Sequence, residues 1–514
     1  MKLTNGFKFF ILFLVLGGAA AYLKFGTDIL SKKDKGGTAT TTEVKPEKSS
    51  KKVKAGDADL TLGINTWSGF APIVWLNGGL EPNTESQLYK NYGIKLRIKI
   101  NDVFDNSRQN FIDGNYNLVY ATTDVLPIEM GAGSGMVEVG AVQFLQVDWS
   151  RGGDAIVVRK GINTVADLKG KTIAYAVGTA SNSLLIKVLE SNNLTIGDVI
   201  LKKASDGIEA AKFYKAGQVD AAVVWSPDDL DCVDALPGTK VLVNTKVATH
   251  IIADGILVKE SFLNDNKALL VKFATAWLDA NSKITSSPDL VKEAAEACHL
   301  AWDMPADFFV AGISNVRLTT LGDNKDFFGL NPSYQGITGE QLYSKMSIVY
   351  SELSLAKNSV AWRSVSNTDI VEAINLVSGQ EAEGNVRFTP VTAEVKQKAA
   401  ISNKEVTINF PTNSSTLSDD AKYTIDKEFV NLAKTFANAR IRIEGNTDAV
   451  GNGDYNRTLS FKRAQSVADY LAKEYHFDAN RFIVIGNGMT KAQADGVSVS
   501  NESYRRTDFK LVEE

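Results

Sequence analysis

The stretch from Arg440 to Leu471 constrains this 514-residue chain more than any other. It opens as Arg-Ile-Arg-Ile-Glu, the alternation of a strand with Ile441 and Ile443 turned inward and Arg442 and Glu444 outward. A polar, glycine-rich loop follows from Gly445 to Tyr455. Beyond it, at ~100° per residue, Leu459, Ala464, Val467, Ala468 and Leu471 share one face of a helix, with Lys462, Gln465 and Asp469 opposite. Arg463 stands on the border of the apolar face and Asp448 at the strand's exit, so an acid and a base converge on one loop–helix pocket. Such a pocket suits a zwitterion, because a carboxylate holds an ammonium and a guanidinium forks onto a carboxylate. Thr447 and Asn456 bring a hydroxyl and an amide to the same place. A plain surface ion pair is the bland alternative.

Gly445-Asn446-Thr447-Asp448, followed by Gly451, Asn456, Leu459-Ser460 and Arg463-Ala464, resembles the signature of the OmpA C-terminal-like peptidoglycan-binding domain. The resemblance covers about Glu405 to Glu514, with Val406–Phe410 and Phe482–Ile485 as further strands and Ser418 as a helix cap. It implies an α+β domain in which Asp448 and Arg463, helped by Asn456 and Thr447, grip the diaminopimelate of the peptidoglycan stem peptide. The family usually has His where this chain has Asn446, a departure in the loop that leaves the ionic pair intact. The Arg505–Arg506 pair of the closing strand reads as structural or as the groove's rim.

A chain of this length holds more than one domain. Lys and Arg number 56 against 60 Asp and Glu, a net charge of −4, so no basic excess points to nucleic acid. Phe9–Leu23 is an uninterrupted apolar run between Lys8 and Lys24. It falls short of the ~20 residues of a comfortable span, although flanking lysines can snorkel. Two readings are open for residues 1–26: a signal peptide cut after Ala19-Ala20-Ala21, or an uncleaved helix anchored in the inner membrane. We favour the anchor, since a wall-binding domain at the far end makes a two-point tether. Either reading puts the bulk of the chain in the periplasm. No Asp or Glu lies between Lys8 and Lys24 to carry a proton, which argues against a stator-like channel subunit. Residues 27–57, rich in Lys, Thr and Ser, read as a flexible linker.

From 58 to 379, strands alternate with helices: Leu60–Ile64, Leu96–Ile100, Tyr116–Tyr120, Ala155–Arg159, Ile173–Val177 and Ala221–Trp225 are strands, and Ser183–Ser191 and Gly207–Ala216 helices. This order predicts open, largely parallel sheets with binding loops at the strands' carboxyl ends. The Ala176–Ser183 loop opens a helix with small hydroxyl residues, which can leave backbone N–H groups for an anion or simply cap the helix. Thr164–Gly170, that loop, Gly217–Ala222 and Val224–Pro227 resemble, in this order and spacing, type II periplasmic solute-binding proteins of the nitrate/taurine/sulfonate branch of ABC transporters. The resemblance covers roughly Ala58–Ala280. It implies two α/β lobes, crossed near Gly152 and again near Ile251, around a cleft for an oxyanion, a sulfonate or a similar solute. Facing that cleft would be Trp67, Ser68, Thr122, Thr123, Asp124, Gly178, Thr179, Ser181, Trp225, Ser226 and Asp254, with Trp67 and Trp225 as aromatic anchors. None of these loops supplies an Arg or Lys, so a zwitterionic or amine-bearing ligand fits equally well.

Nothing in the sequence calls for a catalytic cluster, a cofactor or a metal. His250, His299 and His476 are scattered, and no HExxH or phosphate-binding loop is present. Asp228, Asp229 and Asp231 read as a solvated helix start. Cys232 and Cys298 form no metal or redox spacing and are either one disulfide or two free core thiols. Residues 380–404 read as a linker and 405–514 as the wall-binding domain. The expectation is a non-enzymatic envelope protein whose partners are peptidoglycan, a small solute and the inner membrane, with an ABC permease or another envelope protein as further candidates. The alternative is a structural or sensory protein whose degenerate cleft docks a partner protein. If Phe9–Leu23 stays in the membrane, the mature protein retains its Met1–Ala21 peptides and sediments with membranes after high salt. A soluble periplasmic form beginning at Tyr22 would instead establish cleavage.

Overall fold

The computed structural model describes residues 58–514 apart from 377, 378, 385, 409, 412, 497 and 499–503. The apolar run and the linker at 27–57 lie outside the described residues. Among the described residues, no helix is long and apolar enough to cross a membrane.

The chain starts a first lobe with β1 (Leu60–Ile64), β2 (Leu96–Ile100), β3 (Leu118–Thr122) and β4 (Ala141–Ser150). It crosses to a second lobe for β5 (Asp154–Val158), β6 (Thr172–Ala176), β7 (Ile200–Ala204), β8 (Ala221–Trp225) and β9 (Lys240–Asn244), then returns with β10 (Ala253–Lys259) and β11 (Val316–Leu318). The sheets run β11-β4-β10-β3-β1-β2 and β7-β6-β8-β5-β9. The crossings fall between Ser150 and Asp154 and between Asn244 and Ala253, close to where the sequence puts them.

The expectation of largely parallel sheets needs correction. β1 is parallel to β2 and β3, and β6 to β7 and β8. By contrast, β10 is antiparallel to β3 and β4, and β5 to β8 and β9. The double crossing is the reason. β3 and β8 run towards the space between the lobes, whereas β5 and β10 each begin there as the chain arrives from the other lobe.

Both crossings are tied by one buried polar knot. Ser150 Oγ donates to Asp154 Oδ2 (2.7 Å) and lies 2.8 Å from Thr245 Oγ1, which accepts from the backbone N–H of Gly152 (2.7 Å). After β10 the chain is mostly helical, with Lys267–Thr285, Pro288–Trp302, Ala306–Ser314 and Gly339–Glu352 packed on the first sheet's core. Cys232 and Cys298 are both buried free thiols, one in each lobe, which settles the choice between disulfide and core thiols.

A third, four-stranded sheet holds β12 (Ser402–Val406), β13 (Arg440–Asn446), β14 (Phe482–Gly488) and β15 (Thr507–Val512), in the order β12-β15-β13-β14. The strand expected at Val406–Phe410 instead ends at Val406, where its ladder with β15 reaches Thr507. The helix Gly453–Tyr475 is capped by Asn452, whose side chain accepts from Tyr455 N (3.0 Å), and ends at His476 in the left-handed region. It lies directly on β13 and β14. A Cβ on Gly445 would overlap the Ser460 carbonyl, and one on Gly486 would meet the Arg457 carbonyl at 2.6 Å. Ala464, Val467, Ala468 and Leu471 are buried as the periodicity requires, and Lys462 and Asp469 are exposed.

Arg442 and Glu444, expected to point outward, are buried. The segment around Ala393–Gln397 covers that face, and Arg442 Nη2 donates to the carbonyls of Lys396 (2.9 Å) and Lys398 (2.6 Å). Lys510 Nζ donates to Glu444 Oε2 (2.8 Å). The second lobe and the C-terminal domain share one apolar core, running from Leu184 and Leu189 to Ile408 and Phe429. Phe429 and Phe509, both fully buried, stack at 3.9 Å between ring centroids. Phe429→Ala is expected to cost about 3–5 kcal/mol of stability, read as a lower urea midpoint for the transition that unfolds this shared core.

Candidate functional site

The carboxyl ends of β1, β3 and β8 and the first residues of β5 and β10 converge on a cavity of ≈ 780 Å³ between the lobes. Trp67, Ser68, Thr122, Thr179, Trp225, Ser226 and Asp254 line it, as expected from the sequence. Thr123, Gly178 and Ser181 do not. Side chains alternate along β3, so Thr123 turns away from Thr122 and donates to Gln143 Oε1 (3.0 Å). Gly178 N donates to Asn182 Oδ1 (2.6 Å), and Ser181 is buried behind the helix start, its N–H donating to Thr179 Oγ1 (3.2 Å). Asp124 is also buried away from the cavity, with Oδ1 accepting from Ala253 N (3.4 Å).

The two tryptophans come from opposite lobes. Trp67 donates from Nε1 to Asp148 Oδ2 (3.2 Å) and lies against Gly153, where any Cβ would overlap the indole. Trp225 lies on Gly207, whose Cβ would meet the ring at 2.8 Å. The sequence reading missed Phe104, Tyr120, Trp302 and Phe308, which complete the apolar walls. It also missed Arg108, which donates to both oxygens of Glu129 (2.6 and 2.9 Å) and lies over the Tyr120 ring at 4.9 Å. No local signal marks these residues, because only the fold brings 104–129 and 302–308 to one wall.

The lining is acidic. Seven carboxylates face the cavity against the single guanidinium of Arg108. Asp154 is 2 % exposed and Asp254 6 %, both at the crossings. Burial pushes the Asp154 carboxyl up to about 7, with Asp254 and Asp229 adding to the shift and the Ser150 hydroxyl opposing it. Asp148 and Asp254 sit opposite one another on β4 and β10. Burial raises both, and each carboxyl also feels its neighbour. The acids at Asp228, Asp229 and Asp231 do open a helix, Asp228–Ala235, and Asp231 is exposed as expected; Asp229 alone is buried, while Asp228 and Asp231 lie at the cavity.

The second candidate site lies on the C-terminal domain. Asp448, Thr447, Asn456 and Arg463 are all buried around the loop after β13. Asn456 Nδ2 donates to the Val450 carbonyl (2.8 Å), Thr447 Oγ1 to the Asp448 carbonyl (3.0 Å), and Val450 N to Asp448 Oδ1 (3.3 Å). These bonds fold the loop back over the helix start. Arg463 donates from Nε to the Ser414 carbonyl (3.0 Å) and from Nη2 to the Pro411 carbonyl (3.3 Å), with its guanidinium 5.1 Å over the Phe410 ring. Burial lowers its pKa, as does neighbouring Arg505, while Tyr455 and Asp448 oppose the shift. Arg505 Nη1 donates to Asp448 Oδ2 at 3.0 Å. Arg505, its side chain 37 % exposed, pairs with Asp448 as a structural or rim residue would.

Residues 409–506 match the OmpA family model and residues 85–290 the NMT1/THI5-like family model. The chain thus joins a two-lobed, periplasmic-binding-like α/β region to an OmpA domain. Similar proteins include the outer membrane protein Omp38 of Acinetobacter baumannii, 34 % identical over 127 residues, which are 25 % of this chain and 35 % of that one. The peptidoglycan-associated lipoprotein of Rhizobium meliloti is 33 % identical over 112 residues, 20 % of this chain and 62 % of that one. The chain spans only about a third of the first relative's length. Among solved structures, the periplasmic aliphatic sulphonate binding protein of Escherichia coli is 18 % identical and aligns over 61 % of this chain and 98 % of that one, with a TM-score of 0.48.

The raised Asp154, Asp148 and Asp254 carboxyls fix a pH dependence. A carboxyl whose folded pKa lies above its unfolded value binds more protons in the folded state, so stability falls as pH rises between the two values. These carboxyls are expected to raise the melting temperature of the ligand-free chain as pH is lowered from 8, while buried His250, held well below its usual value, opposes them below about pH 6.5. Asp154→Asn should flatten part of that slope in a thermal scan at each pH.

Proposed function

We propose that this protein is a cell-envelope binding protein that captures a small solute between its two lobes and holds peptidoglycan through its C-terminal domain. The observation that carries the reading is the cluster of charged side chains after β13. Asp448, on a loop held closed by Asn456 and Thr447, is gathered there with Arg463 of the helix Gly453–Tyr475 and Arg505 just before β15. Asp448 holds the ammonium of a diaminopimelate stem peptide, and Arg463 forks onto its carboxylate. Arg505 steadies Asp448 and adds positive charge on the carboxylate side. The printed name of the Rhizobium relative, a peptidoglycan-associated lipoprotein, supports the same ligand.

The cavity supports capture over protein docking. It has the size of a small-molecule site and is walled by aromatic rings from both lobes. No catalytic role is assigned. The apolar run at Phe9–Leu23 supports an anchor in the inner membrane, with an ABC permease or another envelope protein as the receiver of the solute.

The full chain should co-sediment with purified peptidoglycan. Asp448→Ala and Arg463→Ala should each weaken that binding ~30-fold or more, because a ligand charge left desolvated and unmatched costs ~2–5 kcal/mol. Arg463→Lys should fail nearly as badly, since an ammonium cannot make the two-pronged contact. Lys462→Ala, exposed on the opposite face, should bind like the parent. Parent-like binding by both alanine variants would remove this pocket from peptidoglycan recognition.

A further inference from the structure

We propose that the cleft selects an organic cation: an amine, amidine or quaternary ammonium solute whose apolar body lies against the aromatic walls. This rests on the reading of the cleft as a solute site and names the chemistry of its ligand. Three independent features point the same way.

The first is the charge balance. The one guanidinium in the lining, Arg108, is already held through both oxygens of Glu129, leaving Asp154, Asp254, Asp228 and Asp231 facing the cavity with no basic group among its lining residues to answer them. Closing two lobes over the cavity expels water. An entering anion would then meet buried carboxylates at low dielectric, whereas a cation supplies the missing counter-charge. Basic groups do approach the outer edge: Lys215 lies 3.9 Å from Asp231 and Lys246 acts on Asp229, but neither lines the cavity.

The second feature is the helix start that would seat an anion. Three of its backbone donors are already taken within the turn, which weakens it as an anion seat: Gly178 N by Asn182 Oδ1 (2.6 Å), Ser181 N by Thr179 Oγ1 (3.2 Å) and Asn182 N by the Thr179 carbonyl (2.9 Å).

The third is the wall chemistry. Trp67, Trp225 and Trp302 line the cavity with indole rings of the kind that attract cations. A metal ion is a poorer occupant, since among the described residues no group of three or more His, Cys, Asp or Glu is placed to hold one.

The test titrates the full chain by calorimetry and tryptophan fluorescence with putrescine, spermidine, choline and L-arginine, and in parallel with taurine, ethanesulfonate, nitrate, sulfate and calcium chloride. We expect saturable binding of at least one amine with a tryptophan signal, weakened about tenfold or more by Asp154→Asn and by Asp254→Asn. Trp225→Ala, on the half-buried wall, serves as a second variant that spares the crossings. Calorimetry in buffers of different ionisation enthalpy should read proton release, because a bound cation favours the ionised Asp154. Saturable binding of a sulfonate, an oxyanion or calcium, without any amine, overturns the cation assignment and leaves the solute site standing. Amine binding unchanged in all three variants also overturns it, by placing the amines outside the cleft. Silence from every probe overturns both the cation assignment and the solute reading, while peptidoglycan binding is judged separately.

Discussion

The Ser150 hydroxyl reaches the Asp154 carboxylate at 2.7 Å and Thr245 at 2.8 Å, and the geometry of the cleft follows from that knot. It ties the outgoing crossing to the returning one, so the lobes are joined by two short connections pinned side by side. Gly152 sits between them at φ 126, a backbone conformation that residues other than glycine rarely adopt, with its N–H donating to Thr245. Because β5 and β10 both start at this knot, their first acids, Asp154 and Asp254, land on the floor of the cavity. The topology that makes the sheets mixed also makes the floor acidic.

A net charge of −4 conceals two sites of opposite character. The cleft gathers seven carboxylates around one guanidinium that is already neutralised. The C-terminal pocket gathers two guanidiniums around Asp448, close enough that Arg505 affects the proton affinity of Arg463. Burial strengthens both fields. In the cleft it holds the Asp154 and Asp254 carboxyls towards protonation. In the pocket, the ion pair with Arg505 keeps Asp448 engaged before any ligand comes.

The C-terminal domain is more than a bead on a string. Its Phe429 and Ile408 belong to the same core as Leu184 and Leu189 of the second lobe. Backbone contacts reinforce the seam, with Val165 N donating to the Ile401 carbonyl (3.0 Å) and His250 N to the Thr435 carbonyl (3.1 Å). Lys345, from the first lobe, donates to Asn431 Oδ1 at 2.6 Å. The residues read as a linker are strapped down as well: Arg440, fully buried, donates to the Thr389 hydroxyl (2.8 Å). The C-terminal domain is thus in direct contact with both lobes.

The sequence alone determined the local elements whose pattern is short-ranged. Ile441 and Ile443 mark β13, the 3.6-residue period from Leu459 to Leu471 marks its helix, and Asp448 with Arg463 marks the pocket, because all lie within one strand–loop–helix. Trp67 and Trp225 were readable for a similar reason, since each follows an apolar strand at its carboxyl end. What the sequence did not determine is whatever depends on contacts across the fold. β4 and β10 pair only because the chain leaves and returns, and Arg442 is buried only because residues near Lys396 fold over it. Arg505 meets Asp448 across 57 positions, and Glu129 cancels Arg108 across 21. The sign of the cleft is of this kind. Its carboxylates are scattered from Asp102 to Asp254, and only the crossing of two lobes brings them around one cavity, with Asp154 and Asp254 buried on its floor.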